Sequence, residues 1–523
     1  MHKLSLRIIR SLLFALSVGL IPILALWRYN LGQIAPHALG KPLLITIAFV
    51  LISFTFGLLI GRSWEKASLF SAIYSLFFFT FGHLYNFLGV ITIVGLSFGY
   101  LKQLVLCLVF FLVVVVLVLR YSRPGNSFFL IGNIIAGILI IFNLIPTIAY
   151  AIQIQQALKQ ASVEEEVSPQ AALSTQPDIY FIILDAYARE DVLQEVINYD
   201  NSEFLSALQE RGFYIPECAY SNYDGTLKAL TSILNMDYLN NLDVDISDQE
   251  GFAASNDNLF INNKIRSLMH GYGYQFVTGR GHSSVVDINN SDLYFNYWQN
   301  QKKDDDLDAQ RFASLYFNTT ALRVISEIYK DNPAKVSWLP YWIASNRESE
   351  AYLAEATYWY YQNNYMFDSM ESIPQRQGNY FVYAHIIAPH GPYVYRADGS
   401  FNYPLDSNDE KVLYAEAVTY LNKRVLELVD TLQSESDVEP IIIIQSDHAI
   451  HQMSTGLEKH KILSAYYLPG TLTTPPYATL TPVNNFRIII RNYFDPSMEL
   501  LPDILYVRLE NNPEPVDSSC ELH

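Results

Sequence analysis

Only three cysteines occur among 523 residues, and they show no zinc-finger spacing. Cys107 lies in an apolar segment. Cys218 and Cys520 fall in the acidic part, where an oxidising compartment would allow them to pair, although sequence alone does not bring them together. Carboxylates are almost missing from residues 1–152, which hold ten Lys and Arg but a single acidic residue, Glu65. Positive charge is scarce in the remainder, with 24 basic against 51 acidic residues. That shortage, with no RNA-binding signature, excludes a polybasic nucleic-acid surface. It also gives an anionic substrate no long-range attraction, so phosphate or sulfate chemistry there needs a local cation. There is no internal repeat. The length allows more than one domain, since single cores stop growing near ~250–300 residues.

Charge is absent, too, from five long apolar stretches: Ser11–Trp27, Pro42–Gly61, Ala67–Leu101, Gln103–Leu119 and Pro124–Leu158. About 20 apolar residues suffice to cross a bilayer, so residues 1–152 are expected to form a transmembrane domain of about five helices. Ala67–Leu101 is long for one crossing and short for two. With five crossings and the N-terminus inside, the inner side receives Lys3, Arg7, Arg10, Arg62, Lys66, Arg120 and Arg123, against Arg28, Lys41 and Lys102 outside. Splitting the long stretch weakens this asymmetry, so five crossings are preferred and the acidic part lies outside the cytoplasm. No small-residue cleavage site follows the first stretch, which argues against a signal peptide. His83, deep in a span, reads most simply as a hydrogen-bonded structural histidine. The region is expected to anchor the chain in the lipid bilayer of the cell membrane and to present a lipid substrate.

Residues 153–177, with the acidic run Glu164–Glu166, read as a solvated linker. The pattern of 178–510 is that of an α/β domain. Asp178–Leu184, Gly212–Pro216, Gln275–Thr278, Asn379–Ile387, Ile441–Ile444 and Ile462–Leu468 suit strands. Glu203–Arg211, Leu227–Met236, Asn258–His270 and Asp409–Leu432 suit helices. Such alternation predicts a mostly parallel sheet with helices on both faces. The block Ser291–Gln377, crowded with Tyr and Trp around the charge run Lys302–Asp308, fits less well. Residues 511–523 are expected to be a tail.

Chemistry-bearing residues fall where these strands end: Asp185, Thr226 at a helix start, His385 and His390, then Asp447 and His448, with His460 downstream. Singly, each has a plain structural reading, as a helix cap or a turn residue. Together they suit one site. Aspartate oxygens and neutral imidazoles ligate zinc or manganese. A hydroxyl beside such a cation becomes a nucleophile, and a helix N-terminus stabilises an anion.

The phrase PDIYFIILDAYAREDVL resembles the first strand and metal-binding Asp of the alkaline phosphatase superfamily, in its sulfatase-like branch. That branch includes sulfatases, lipoteichoic acid synthases and phosphoethanolamine transferases. TLKALTSILNM is similar to the nucleophile helix, which puts Thr226 at the nucleophile position. SDH resembles the paired metal ligands, so the resemblance implies one cation held by Asp185, Thr226, Asp447 and His448. HIIAPHGPY is similar to the transferases' two histidines five apart, and His460 falls where they place another. The resemblance thus implies that His390, His460 and, more weakly, His385 bind substrate or a second cation. His451 matches no family position and reads as a loop residue. The motifs run in the family's order from Asp178 to about Tyr506.

Some positions depart from the branch. Sulfatases resemble one another in a Cys-or-Ser, x, Pro, x, Arg motif whose first residue becomes an aldehyde. This chain has Thr226, Leu227, Lys228, Ala229 and Leu230 there, and threonine cannot give that aldehyde. Ala186 replaces a second aspartate, Ala449 the glycine after Asp-His, and Ala229 a hydroxyl residue. The expected function is a membrane-anchored phosphotransferase or phosphoesterase using one or two zinc or manganese ions. It would act on phosphorylated envelope lipids or glycans through Thr226. Two other readings stay open: a sulfuric ester hydrolase, and a catalytically silent, membrane-tethered binding protein.

Overall fold

The computed structural model describes residues 2–30, 36–90, 100–122, 124–163, 176–242, 259–281, 286–297, 307–331, 347–509 and 512–520. The chain divides into two units: 1–152 with 305–354, and 153–304 with 355–523.

In the first unit the uncharged stretches form α1 (His2–Tyr29), α2 (Gly40–Gly61), α3 (Trp64–Val90), α4 (Tyr100–Tyr121) and α5 (Asn126–Val163). Helices satisfy their own backbone, as an apolar bilayer requires. Among the described residues, four helices are long and apolar enough to cross a membrane. These are Leu6–Tyr29, Gly40–Gly61, Trp64–Phe87 and Ser127–Ile148; the apolar part of α4, Val105–Val118, is shorter. The awkward stretch Ala67–Leu101 enters α3, and its residues 91–99 lie outside the described ones. α5 continues to Val163, into the stretch read as a linker, whose acidic run 164–166 also lies outside the described residues.

Small residues let these helices approach closely. A Cβ on Gly19 would lie 2.4 Å from Val50 Cγ2, and the Ser53 and Ser71 hydroxyls are hydrogen-bonded at 2.7 Å. The helices Leu307–Thr319 and Arg323–Asp331 belong to this unit, although they fall within the 178–510 stretch. Phe312 packs edge-on against Trp27 at 5.4 Å, and the Tyr316 hydroxyl meets Thr46 Oγ1 at 2.8 Å.

The second unit is built on a six-stranded sheet, in the order β3-β2-β4-β1-β5-β6. The strands are β1 (Ile179–Leu184), β2 (Gln275–Gly279), β3 (Leu293–Phe295), β4 (Tyr380–Ile386), β5 (Ile441–Gln445) and β6 (Ser464–Tyr467). All pairs are parallel except β5–β6. β1, β4 and β5 are buried along their whole length, as strands covered on both faces are. β1 lies between the other two, with Ile183 level with both His385 and Gln445. The chain leaves β1 toward β2 on one side and later passes from β4 to β5 on the other. Ligands of open α/β sheets gather at such a switch point, outside the carboxyl ends.

Helices fill the connections: Ser202–Glu210, Thr226–Asn235, Lys264–Gly271, Arg347–Glu371, Glu410–Glu435 and Asn485–Tyr493. The expected helix Asn258–His270 is broken in two: residues 259–261 are helical, and Lys264–Gly271 starts anew after Asn263, whose side chain caps it by accepting the Arg266 N–H, while residue 258 lies outside the described residues. Gly212–Pro216 does not join the sheet as a strand; Tyr214 makes only an isolated bridge to Tyr466. The expected tail includes a strand: β7 (Ile504–Leu509) pairs antiparallel with β8 (Asn512–Asp517). Pro513 and Pro515 are tolerated because, among the described residues, β8 has a neighbour on one side only. A disulfide joins Cys218 to Cys520, just past β8.

Candidate active site

β1 delivers Asp185, whose N–H continues the ladder by donating to the Ile386 carbonyl at 3.0 Å. Ala186 then turns the chain with φ of 63°, a left-handed conformation that costs alanine roughly 1 kcal/mol. Hydrogen bonds hold that turn. The Ala186 N–H donates to Asp447 Oδ1 at 3.3 Å. Its carbonyl accepts from the buried Tyr414 hydroxyl at 2.9 Å, and that oxygen accepts the Ala188 N–H at 3.1 Å. The Tyr187 N–H donates to Ser446 Oγ at 2.8 Å.

β5 delivers Asp447 and His448. The His448 Nδ1 lies 2.8 Å from the Ala449 carbonyl, which can only accept, so Nδ1 carries the proton and Nε2 presents its lone pair. That Nε2 lies 3.1 Å from Thr226 Oγ1, 3.4 Å from Asp447 Oδ2 and 3.6 Å from Asp185 Oδ1. Thr226 is first in its helix, after an extended Gly225, so its hydroxyl sits at the end where backbone N–H groups have no partner within the helix. β4 delivers His385, with Nε2 3.3 Å from Asp185 Oδ2. Ligand atoms of Asp185, His385 and Asp447 all lie within 4.8 Å of one another.

His390 follows β4 in a loop, where its N–H donates to the Asp185 carbonyl at 3.1 Å and its ring lies 6.3 Å from that of His448. His460 is buried, with its Nδ1–H donated to the Ser221 carbonyl at 3.0 Å and its carbonyl accepting the Ser221 N–H at 2.7 Å. That exchange ties His460 to the segment leading to Thr226. His451, which reads as a loop residue on sequence, has its ring 4.1 Å from that of His448. Its spacing of three from His448 was the only local sign.

Electrostatics follow from crowding. Burial opposes ionisation of Asp185, but the His390 and His385 imidazoles outweigh it and hold the carboxyl well below its usual range. Burial pushes the His390 imidazole down, yet Asp185 and the Gly391 carbonyl keep it above its ordinary value. Burial lowers His460, and burial with the nearby His448 takes His451 down to about 4.

The donor set fits a divalent cation. Asp185 and Asp447 are each 1% exposed. Asp185 Oδ1, Asp447 Oδ2 and both ring nitrogens of His385 are buried without a hydrogen-bond partner. Two carboxylates so placed carry a large desolvation cost that a cation offsets. Two carboxylates, neutral imidazoles and a hydroxyl are the oxygen and nitrogen ligands that zinc and manganese take.

The sulfatase family profile matches residues 177–480, and the chain belongs to that family, the branch of the alkaline phosphatase superfamily that its motifs resemble. A comparison with curated proteins finds no match. Among solved structures, the chain is similar to the C-terminal periplasmic domain of EcEptC from Escherichia coli, in complex with Zn. There the identity is 11%, covering 67% of this chain and 94% of that one, with a TM-score of 0.37. It is also similar to the lipoteichoic acid synthase LtaP from Listeria monocytogenes (12% identity, 64% and 78% covered, TM-score 0.35). A third is the integral membrane lipooligosaccharide phosphoethanolamine transferase A (EptA) from Neisseria meningitidis (11% identity, 88% of each chain, TM-score 0.34). These likenesses are too distant to carry function.

Proposed function

We propose that this chain is a membrane-anchored, divalent-metal-dependent phosphotransferase or phosphoesterase that acts outside the cytoplasm with Thr226 as its nucleophile. The observation that carries the reading is the Thr226 hydroxyl, held 3.1 Å from the lone pair of His448 Nε2 at a helix N-terminus. Asp185, Asp447, His448 and Thr226, with His385 beside them, would hold the cation. When bound, zinc or manganese supplies the positive charge that lowers the hydroxyl's pKa and offsets charge developing on a phosphoryl group.

The chain's own residues do the rest. Thr226 Oγ1 forms a bond to phosphorus as the bond to the leaving oxygen breaks, and the hydroxyl proton ends on the departing alcohol. The positive N-terminal end of the helix that Thr226 opens faces the phosphoryl oxygens. His390 and His460 bind those oxygens or a second cation. Attack by water or by an acceptor hydroxyl on the phosphothreonine then restores Thr226. The acceptor is an alcohol of an envelope lipid or glycan.

The family's name does not settle the substrate, because threonine cannot become the aldehyde on which the sulfatase motif depends. The charge asymmetry of the apolar helices supports an outer location for the second unit, and so does the Cys218–Cys520 disulfide, which an oxidising compartment sustains. Paired assays with chromogenic phosphodiester and sulfate ester substrates test the reading. Turnover of the phosphodiester, lost in Thr226→Ala, is expected; turnover of sulfate alone that survives the substitution would overturn it.

A further inference from the structure

We infer that Ser446 is a positioning residue that sets the cation affinity of the site by locking the Asp185 turn to the Asp447–His448 turn. The inference rests on the metal-dependent reading above. β1 and β5 pair in parallel up to Ile183 and Gln445, and beyond that register the backbone ladder between them stops. Ser446 is the next residue, and its hydroxyl takes over the bridging. Oγ accepts the Tyr187 N–H at 2.8 Å and donates its one proton to the His448 carbonyl at 2.6 Å. Its own N–H donates to the Leu463 carbonyl at 3.0 Å, so the residue is also pinned to the stretch leading into β6. At 1% exposure, water does not compete for these bonds.

Each bond reaches one arm of the site. Tyr187 lies two residues after Asp185, and holding its N–H fixes the direction in which the Asp185 carboxyl leaves β1. The His448 carbonyl fixes the peptide that carries the imidazole facing Thr226. A cation needs both arms at one set of distances, and the hydroxyl is what spaces them. Outer groups that orient ligands in this way typically change metal affinity about 10–100-fold when removed.

Zn2+ titration of the full-length chain in detergent, after chelator treatment, tests this by calorimetry. Melting of the cation-free protein is followed in parallel. Native, Ser446→Ala, Ser446→Thr and Asp447→Asn chains are compared. Ser446→Ala leaves the buried Tyr187 N–H and His448 carbonyl unpaired, so its cation-free melting is expected to fall modestly while its Zn2+ affinity falls about 10–100-fold, and Ser446→Thr, which keeps the hydroxyl, recovers most of both. Zn2+ affinity of Ser446→Ala within about twofold of native would overturn the inference. So would a loss that Ser446→Thr does not recover and that parallels lower cation-free melting. If the native chain binds and Asp447→Asn does not, such a result sinks the role of Ser446 alone. If the native chain itself binds no Zn2+, the metal reading fails and this inference falls with it.

Discussion

Thr226 Oγ1 and His448 Nε2 lie 3.1 Å apart across 222 residues of sequence. The contact joins a helix N-terminus to the carboxyl end of the sheet, and it puts a hydroxyl, an imidazole lone pair and two buried carboxylates around one point. In the proposed function this hydroxyl attacks an electrophilic phosphorus. In that proposal the buried carboxylates give a chain rich in acidic residues a place for the local cation that such chemistry needs.

Removing that cation has a measurable cost. The native chain is expected to hold about one or two divalent ions by elemental analysis, and Asp447→Asn to lose them. Chelation should lower the melting temperature of the native chain, since a ligand present at 100 times its Kd stabilises by about 2.7 kcal/mol. Asp447→Asn should show little further loss on chelation.

The Ala186 turn depends on Tyr414, whose hydroxyl bonds both to its carbonyl and to the Ala188 N–H. Tyr414→Phe keeps the ring and leaves two buried backbone groups unpaired. A loss of about 1–3 kcal/mol in unfolding free energy is expected by denaturant titration. Phosphodiester turnover should fall as well, because the turn aims Asp185.

How much of this was legible in the sequence follows from what is local. β1 and β5 show as unbroken apolar runs, and the candidate ligands sit at their ends, so both could be read from short windows. Tyr414 bonds to Ala186 across 228 residues, and Ser446 to Tyr187 across 259, so no window contains either pair. The helices of 307–331 carry aromatics that suit either unit, and only packing against Trp27 and Thr46 assigns them. β3 is too short to show a period of two, and the prolines of β8 hid a strand with a single neighbour.

Asp178, at the opposite end of β1, gives a pH signature. Burial pushes its carboxyl up to about 6 from 3.8, although the Tyr380 N–H donates to it at 2.7 Å. The folded value lies above the unfolded one, so its contribution is fully present below the unfolded pKa and is lost as pH rises through about 6. Asp178→Asn keeps an acceptor oxygen without the charge. Between about pH 4 and pH 7 the native chain should lose on the order of 2 kcal/mol that the variant keeps, seen as a flatter dependence of melting on pH. Equal slopes would contradict the assignment.

The Cys218–Cys520 bond ties the β7–β8 hairpin to the segment that leads to Thr226. Cys218→Ser with Cys520→Ser should cost about 2–5 kcal/mol in unfolding free energy, and added reductant should lower the melting of the native chain alone.

The most direct test is the covalent state of Thr226 itself. The full-length chain, loaded with Zn2+ or Mn2+ and mixed with a chromogenic phosphodiester, is quenched in acid during turnover, digested and measured by mass spectrometry. A phosphoryl adduct on the peptide containing Thr226, absent from Thr226→Ala and diminished in Asp447→Asn, is the expected result. Full turnover without any adduct on Thr226, or turnover that persists in Thr226→Ala, would contradict the account.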